Sequence, residues 1–433
     1  MSVALPKVVD YNEPMYSLPP NTQSFQVVCN PISGSTFSPS SSIDVDLGAR
    51  GFLIPNSLFI RYRLNVDING VNPAYMCGTP VYTPFLRLAV NINSTITENI
   101  NNYNVICNML TNLNKDTAQK LGEQFNYGWG VASSTAAVDN ENIDGGLFTQ
   151  DSAKSLSAPL ICSLSHSEKL IPLFLLNGIR LTFTLDSIAN MFSVIDNTGS
   201  ATAAVLPDGV TVDNFEVVYQ CVDMGDEVKN MVSSLDRIRI KTQTFASSIQ
   251  PLASGVSGQQ NLIYNHKFSS VKSLFLNMGG TNRTAYSANG NFDSYNIATS
   301  GDYSFILGER VMPQRALSAG NNAGGIITML RQAIGSVYDK TNAMSINARE
   351  FTSSVSSTKT TTVYPSKFWV GVSTEKLKVP GSFFTGVSTE SSPISAVINI
   401  STATSQGHNA MLIVNADLIY EIDPQTKQIV VIQ

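Results

Sequence analysis

The chain is 433 residues long, too long for one ordinary sandwich and about right for two domains. Charged residues are 14% of it, against a usual roughly 25%, while 43% are hydrophobic; its polar surface is then largely Ser, Thr and Asn, which suits a subunit that hides its flanks against copies of itself better than a free enzyme. A net charge of −5 with no basic tail or Arg run argues against nucleic-acid binding, sequence-specific binding included.

Residues 1–20 carry Pro6, Pro14, Pro19 and Pro20, which oppose helix, among apolar Val8, Val9, Met15, Tyr16 and Leu18. They read as an N-terminal arm that lies on something. They lack the basic start and long apolar core of a secretory signal, and no window approaches the ~18 uninterrupted apolar residues of a membrane helix, so synthesis in the cytosol is expected. Phe25 to Cys29 is a first short strand, Ser33 to Ser42 a Ser-rich loop, and Ile43, Val45 and Leu47 mark a second strand. Leu58, Ile60, Tyr62, Leu64, Val66 and Ile68 then alternate with Arg61, Arg63 and Asn65, the period of a long strand with one buried face, ended by a turn at Asn69-Gly70. Phe85 to Ile100 is strand-like with a corner at Asn93-Ser94.

At Tyr103 the period changes. Val105, Ile106, Met109, Leu110, Leu113, Ala118 and Leu121 trace a helical stripe as far as Gln124, as one helix or as two broken at Asn114 to Asp116. Residues 126–157 are poor in aliphatics and read as a long exposed loop. The run LIPLFLLNGIRLTFTLDSIANM, Leu170 to Met191, organises this half: a Pro-led apolar run, a tight hairpin-like corner at Asn177-Gly178, then Ile179, Leu181, Phe183 and Leu185 alternating with polar residues. A loop at Thr198 to Thr211 precedes a closing strand through Phe215, Val217, Tyr219 and Cys221. Asp223 to Asp236 is a linker helix with Asp226 and Glu227 in its first turn, where the helix dipole favours anions.

Strands resume at Ile238 and Ile240, at Leu262 to Tyr264, at Val271 to Met278, at Phe368 to Val372 and at Ile394 to Ile400, with a Ser/Thr loop at Thr352 to Thr362 and a strand or short ordered tail at Gln428 to Ile432. The pattern of the first half recurs. NSLFIRYRLNV (56–66) is matched by VKSLFLNMGG (271–280), the helix NVICNMLTNLNK (104–115) by GIITMLRQAIGSVYDK (325–340), and the closing strand FEVVYQCVDM (215–224) by MLIVNADLIYEID (411–423). The expected division is an N-terminal arm (1–20), a first roll (21–223), a linker helix (224–236), a second roll (237–423) and a C-terminal tail (424–433). The fold class is all-β: two tandem eight-stranded jelly-roll β-sandwiches with a short helix in each half.

The ordered phrases SGSTF (33–37), IPNSLFIRYR (54–63), PFLRLAVNINSTITENINNYNVICNML (84–110), LIPLFLLNGIRLTFTLDSI (170–188), HKFSSVKSLFLNM (266–278) and MLIVNADLIYEID (411–423) resemble the double jelly-roll major capsid proteins of virophages, polinton-like viruses and large icosahedral DNA viruses. The likeness spans about residues 20–423. It implies two rolls standing side by side, and a homotrimer whose six wedges form a pseudo-hexagonal, hexon-like capsomer. It further implies neighbouring capsomers, penton and minor or cement capsid proteins as partners, residence in the virion capsid after synthesis and assembly in host cytoplasm or nucleus, and no enzymatic activity; contact with an internal membrane is left open. Loops 126–157, 279–302 and 373–390 would be tower or trimer-contact loops, some of them reduced, because the chain is short for a virophage-type protein.

No catalytic, cofactor-binding or metal site is expected. His166, His266 and His408 are isolated and read as core or surface residues. Cys29, Cys77, Cys107, Cys162 and Cys221 form no C-x-x-C pair and read as buried free thiols of a reducing compartment. Asp302 with Glu309, or Asp226 with Glu227, is a nominal glycosidase pair without further support. Gly255-Val256-Ser257-Gly258 stops one glycine short of a nucleophile elbow, because Gln259 follows. Asn93, Asn282 and Asn399 match the glycosylation pattern by chance. Trp129 and Trp369 are read as core or interface anchors, with sugar-stacking platforms as the other reading. The alternative function is accordingly a carbohydrate-binding or adhesive β-sandwich, spike- or fibre-like, using these tryptophans and loop carboxylates; a β-sandwich hydrolase comes third.

Overall fold

The computed structural model describes residues 19, 21–69, 74–129, 146–148, 152–192, 206–281, 292–298, 301–320, 323–338, 344–346, 351, 367–376, 384–404 and 406–433. The first half supplies β1 (Gln23–Cys29), β2 (Ser42–Leu47), β3 (Phe59–Asp67), β4 (Phe85–Ile92), β5 (Thr95–Asn101), β6 (Ser152–Pro159), β7 (Ile179–Leu185) and β8 (Gly209–Asp223). One antiparallel sheet runs β1-β8-β3-β6 and the other β2-β7-β4-β5. Alternation explains the facing surfaces: Ile60, Tyr62, Leu64 and Val66 of β3 are buried while Arg61 and Arg63 are exposed. Between the sheets an aromatic cluster forms, with Tyr62 against Phe85 at 5.3 Å, Phe85 against Phe183 at 5.4 Å and Phe183 against Phe215 at 5.1 Å between ring centres. Each such ring contributes about 1.5–3 kcal/mol by leaving water.

The corner at Asn93-Ser94 is a two-residue hairpin turn. Both residues have positive φ (53° and 63°), the geometry whose twist matches the flanking strands. Helix α1 (Tyr103–Asn114) follows and is buried on every side rather than along one stripe. Its polar face is satisfied inside: Asn104 donates to Asp186 Oδ2 at 2.9 Å, Asn108 accepts from Thr79 Oγ1 at 3.0 Å, and Asn112 donates to the Asn108 carbonyl at 2.9 Å. The helix breaks at Lys115. Asp116 then caps α2 (Thr117–Gly122) through a reciprocal pair of bonds with Gln119, so the two-helix alternative holds.

Helix α3 (Gly225–Ser233) follows β8 and buries none of its residues. The second half then repeats the first: β9 (Ile238–Leu252), β10 (Gly258–Tyr264), β11 (Val271–Gly280), β12 (Asp302–Leu307), β13 (Arg310–Ser318), β14 (Val370–Ser373), β15 (Ile394–Ile400) and β16 (His408–Asp423), with α4 (Ala323–Ile334) between β13 and β14. Its sheets run β9-β16-β11-β14 and β10-β15-β12-β13. Numbering the strands of each half one to eight, both halves order them 1-8-3-6 facing 2-7-4-5, and both insert the helix between strands five and six. That is the jelly roll, twice.

Several local expectations change. The apolar run from Ile171 is not a strand feeding a hairpin: Ile171-Pro172 pair briefly with Phe52-Leu53, Leu173–Leu175 form one 3-10 turn, and Asn177-Gly178 carries the chain across into the other sheet, Gly178 adopting φ 124°. The loop expected over 126–157 gives up its end to β6, which pairs with β3 along its whole length. The Ser-rich loop at 33–42 contains a two-residue strand, Thr36–Phe37, held by β8. The residues set aside as a tail, 424–433, contain β17 (Gln428–Ile432), paired with Ile419–Asp423. The arm at 1–20, except Pro19, lies outside the described residues, as do Gly70, the Ser/Thr loop at 352–362 and most of the loop expected at 198–211. Among the described residues no helix is long and apolar enough to cross a membrane.

Candidate functional site: the junction of the two rolls

The two rolls meet edge-on. The first contributes β5, the turn at Asn93 and the segment 160–168; the second contributes β9 and the end of β16. At the centre lies Glu98, 3% exposed on β5. Its Oε2 accepts from Ser163 N at 2.8 Å and Ser163 Oγ at 2.6 Å, and its Oε1 accepts from Thr244 Oγ1 of the second roll at 2.7 Å. With the Ser163 proton directed at Glu98, Tyr420 OH donates to Ser163 Oγ, and Thr242 Oγ1 donates to the Ser163 carbonyl. Burial pushes the Glu98 carboxyl above its ordinary pKa; the three hydrogen bonds to it pull the other way and only partly offset this. Around this centre Ser247 Oγ donates to the Asn101 carbonyl at 2.8 Å, Glu168 N to the Lys241 carbonyl at 3.2 Å, and Asn93 Nδ2 to the Lys427 carbonyl at 2.6 Å. Hydroxyls, main-chain groups and side-chain amides, with one buried carboxylate, therefore join the halves.

Beside the network opens a cleft of about 730 Å³, lined by His166 and Glu168 from the first roll and by Lys241, Lys272 and Glu375 from the second. Lys272 Nζ lies 3.5 Å from Glu375 Oε1 and 3.9 Å from Asp417 Oδ1, and Lys241 Nζ lies 3.8 Å from Asp417 Oδ1. Asp417 is fully buried, and its Oδ2 accepts from Ser270 Oγ at 2.5 Å. Burial lowers the Lys272 pKa, and Asp417 and Glu375 oppose the shift. His166 Nδ1 lies 2.9 Å from the Cys162 carbonyl, its ring between Phe245 and Tyr338, and burial lowers its pKa, so it stands neutral and Nδ1 donates. These charges compensate one another and hold segments together.

The residues singled out in the sequence are dispersed. His266 Nε2 bonds Ser248 Oγ at 2.8 Å; His408 is buried against Tyr295, its pKa down to about 4 through burial. Among the described residues no group of His, Cys, Asp and Glu is arranged to hold a metal ion. Asp302 opens β12 and Glu309 sits in the turn beyond its far end, with about 17 Å of strand between, beyond any glycosidase spacing. Asp226 is 95% exposed on the linker helix, 3.7 Å from Lys229. Gly255 to Gly258 form the turn between β9 and β10, with no helix behind Ser257. Both amide atoms of Asn93 are engaged, by Lys427 and by Asn177 N, and Asn399 lies within β15; Asn282 lies outside the described residues. Trp129 is 3% and Trp369 1% exposed, Trp129 stacked on Tyr127 at 4.7 Å, so neither offers a face to a sugar. All five cysteines are free and buried, and burial raises the Cys162 thiol to about 12.

Glu98, Ser163, Thr242, Thr244 and Tyr420 belong to no functional motif of the sequence. One signal is present: Thr242 and Thr244 continue the face begun by Ile238 and Ile240, and Glu98 stands two residues before the buried Ile100, whereas Ile96, beyond a register shift, is 59% exposed. Polar residues in the buried register of a strand mark a second surface that covers it.

No family model matches the chain, and no curated protein matches its sequence. Solved structures do match. A chain of the PBCV-1 virus capsid superposes with TM-score 0.60 at 13% identity, over 95% of this chain and 97% of that one. The Faustovirus major capsid protein gives TM-score 0.61 at 10% identity, over 96% and 92%. A chain of the Sputnik virophage gives 0.58 at 12%, over 100% and 92%. At these identities the likeness is one of fold, and the fold is the double jelly roll of viral capsid proteins.

Proposed function

We propose that this chain is the major capsid protein of an icosahedral DNA virus, a structural subunit without enzymatic activity. The observation that carries the proposal is the pair of rolls with one strand order, locked side by side by a buried junction, in a fold whose solved examples include capsid proteins. Fold alone does not assign function; the dispersed histidines and carboxylates and the buried tryptophans leave catalysis and sugar stacking without a site among the described residues.

Three copies of a two-roll subunit present six similar wedges, an outline that tiles a closed shell, and a head-to-tail contact closes into a ring when its rotation permits. In this reading the units are 21–223 and 237–423, joined by the 224–236 linker, and the partners are two further copies, neighbouring capsomers, penton proteins and minor or cement proteins in the virion. Light scattering on the purified chain is expected to give about three times the 46.7 kDa chain mass, and negative-stain images three-lobed or hexagonal particles. A monomer that assembles nothing would overturn the reading.

A further inference from the structure

The corner that carries the first roll from one sheet to the other holds a reactive pair. Asn177 is exposed, and Gly178 follows it at φ 124°, a backbone conformation that residues with a Cβ rarely adopt. A Cβ placed on Gly178 would meet nothing within 4 Å. Among the described residues neither the Asn177 side-chain amide nor the Gly178 N–H has a hydrogen-bond partner. Both residues border an open cleft of about 580 Å³ beside Asn91, Ser94 and Arg180, so water reaches them. A side-chain amide and the main-chain nitrogen that follows it are thus both accessible, with no neighbour between them.

Asn93 grips the same corner. Asn177 N donates to Asn93 Oδ1 at 2.7 Å, and Asn93 N donates to the Gly178 carbonyl at 3.1 Å. Asn93 Nδ2 donates in turn to the Lys427 carbonyl at 2.6 Å, in the turn between β16 and β17 of the second roll. One side chain therefore ties the corner of the first roll to the second. The grip requires that Asn177 N and the Gly178 carbonyl keep their present spacing along the chain.

We propose that Asn177-Gly178 is a site of spontaneous deamidation whose isoaspartyl product releases the hold of Asn93 on the corner and, through it, on the second roll. The Gly178 nitrogen, its proton taken by solvent hydroxide, attacks Asn177 Cγ. A bond forms between them and closes a cyclic succinimide; the Cγ–Nδ2 bond breaks, and ammonia leaves, taking the proton back through water. A water molecule then opens the ring. Opening at Cγ gives aspartate. Opening at the main-chain carbonyl carbon of residue 177 gives isoaspartate, in which the chain runs through Cβ and Cγ and is longer by one methylene. Asn177 N and the Gly178 carbonyl then no longer match Asn93. Nothing is oxidised or reduced, and water is the one co-reactant. The inference stands apart from the capsid reading.

Trypsin cuts after Lys169 and Arg180 and frees LIPLFLLNGIR, in which Asn177 is the sole side-chain amide. The full chain, aged at mildly alkaline pH and sampled at intervals, is expected to show progressive loss of the amide form of this peptide by mass spectrometry. Part of the acid form should take a methyl group from an isoaspartyl carboxyl methyltransferase. Asn93, with both amide atoms engaged and Ser94 after it, should stay an amide. Hydrogen exchange then reads the grip: the aged chain is expected to lose about tenfold in protection around Asn93, the size of one hydrogen bond. Equally aged Asn177→Ser should keep that protection, and so should fresh Asn177→Asp, which adds the charge without lengthening the chain. An Asn177 amide that lasts as long as that of Asn93 would overturn the site. Undiminished protection in the aged chain, or the same loss in either variant, would overturn the release.

Discussion

The two rolls share a topology but are stabilised differently. The first packs its sheets around aromatic rings, Tyr62, Phe85, Phe183 and Phe215, in edge and tilted contacts. The second lines its last strand with Leu412, Ile413, Val414 and Leu418, all fully buried. They also fill one slot by different means. Beside the end of β8 the first roll places Phe52-Leu53, which precede β3 in the chain; beside the corresponding end of β16 the second places β17, which follows β16. A topology therefore requires that a position be occupied and leaves open which part of the chain occupies it.

Three perturbations would sharpen or break that contrast. The largest effect is expected from Phe215→Ala. Phe215 is 1% exposed and touches three rings of the cluster, so the cavity should cost about 4 kcal/mol, read as an early transition of the first roll in calorimetry. A single unshifted transition would mean that the rings are not the first roll's core. Next is Glu98→Ala, which leaves Ser163 N and two hydroxyls buried without their acceptor and should cost about 3 kcal/mol in denaturant titration. Glu98→Gln should cost less and should change a pH slope. Because the folded-state pKa of Glu98 is raised, the folded chain holds the proton more tightly, and stability falls as pH rises from the ordinary carboxylate value through the raised one. The Gln variant lacks that fall; an identical slope in wild type and variant would locate the titration elsewhere. The smallest effect is expected from removing 428–433. That uncovers Ile419 and Ile422 and takes away the Gln433 carbonyl to which Ser269 N donates at 3.0 Å, for a loss of about 1–2 kcal/mol in midpoint. Collapse of the second roll on this truncation would show that β17 is integral to it, as Phe52-Leu53 are to the first.

Strands with one clean buried face were legible from their residues. The alternation from Leu58 to Ile68 and the Asn93-Ser94 corner stand where periodicity puts them, because local pattern and burial agree. Strand β6, SAKSLSAP, has the composition of a loop: only Leu156 and two alanines are apolar besides Pro159, and the strand exists because β3 offers it an unpaired edge. Strand β13 escaped notice because Pro313 and three exposed residues interrupt it, a composition tolerated at a sheet edge. The junction was invisible for a related reason. A threonine in a strand signals nothing by itself, and only the three-dimensional placement of Glu98 beside Thr244 turns scattered polar residues into one surface.

Helix α3 carries a mechanical implication. It spans the gap between the rolls with none of its residues buried, whereas the halves grip each other through Glu98, Ser163 and Tyr420. The covalent tether is thus not what keeps them adjacent. A polypeptide nicked by protease within Gly225–Ser233 should elute as one particle under native conditions and fall into two fragments only when denatured, and the rolls, synthesised as separate chains, should find each other and dock.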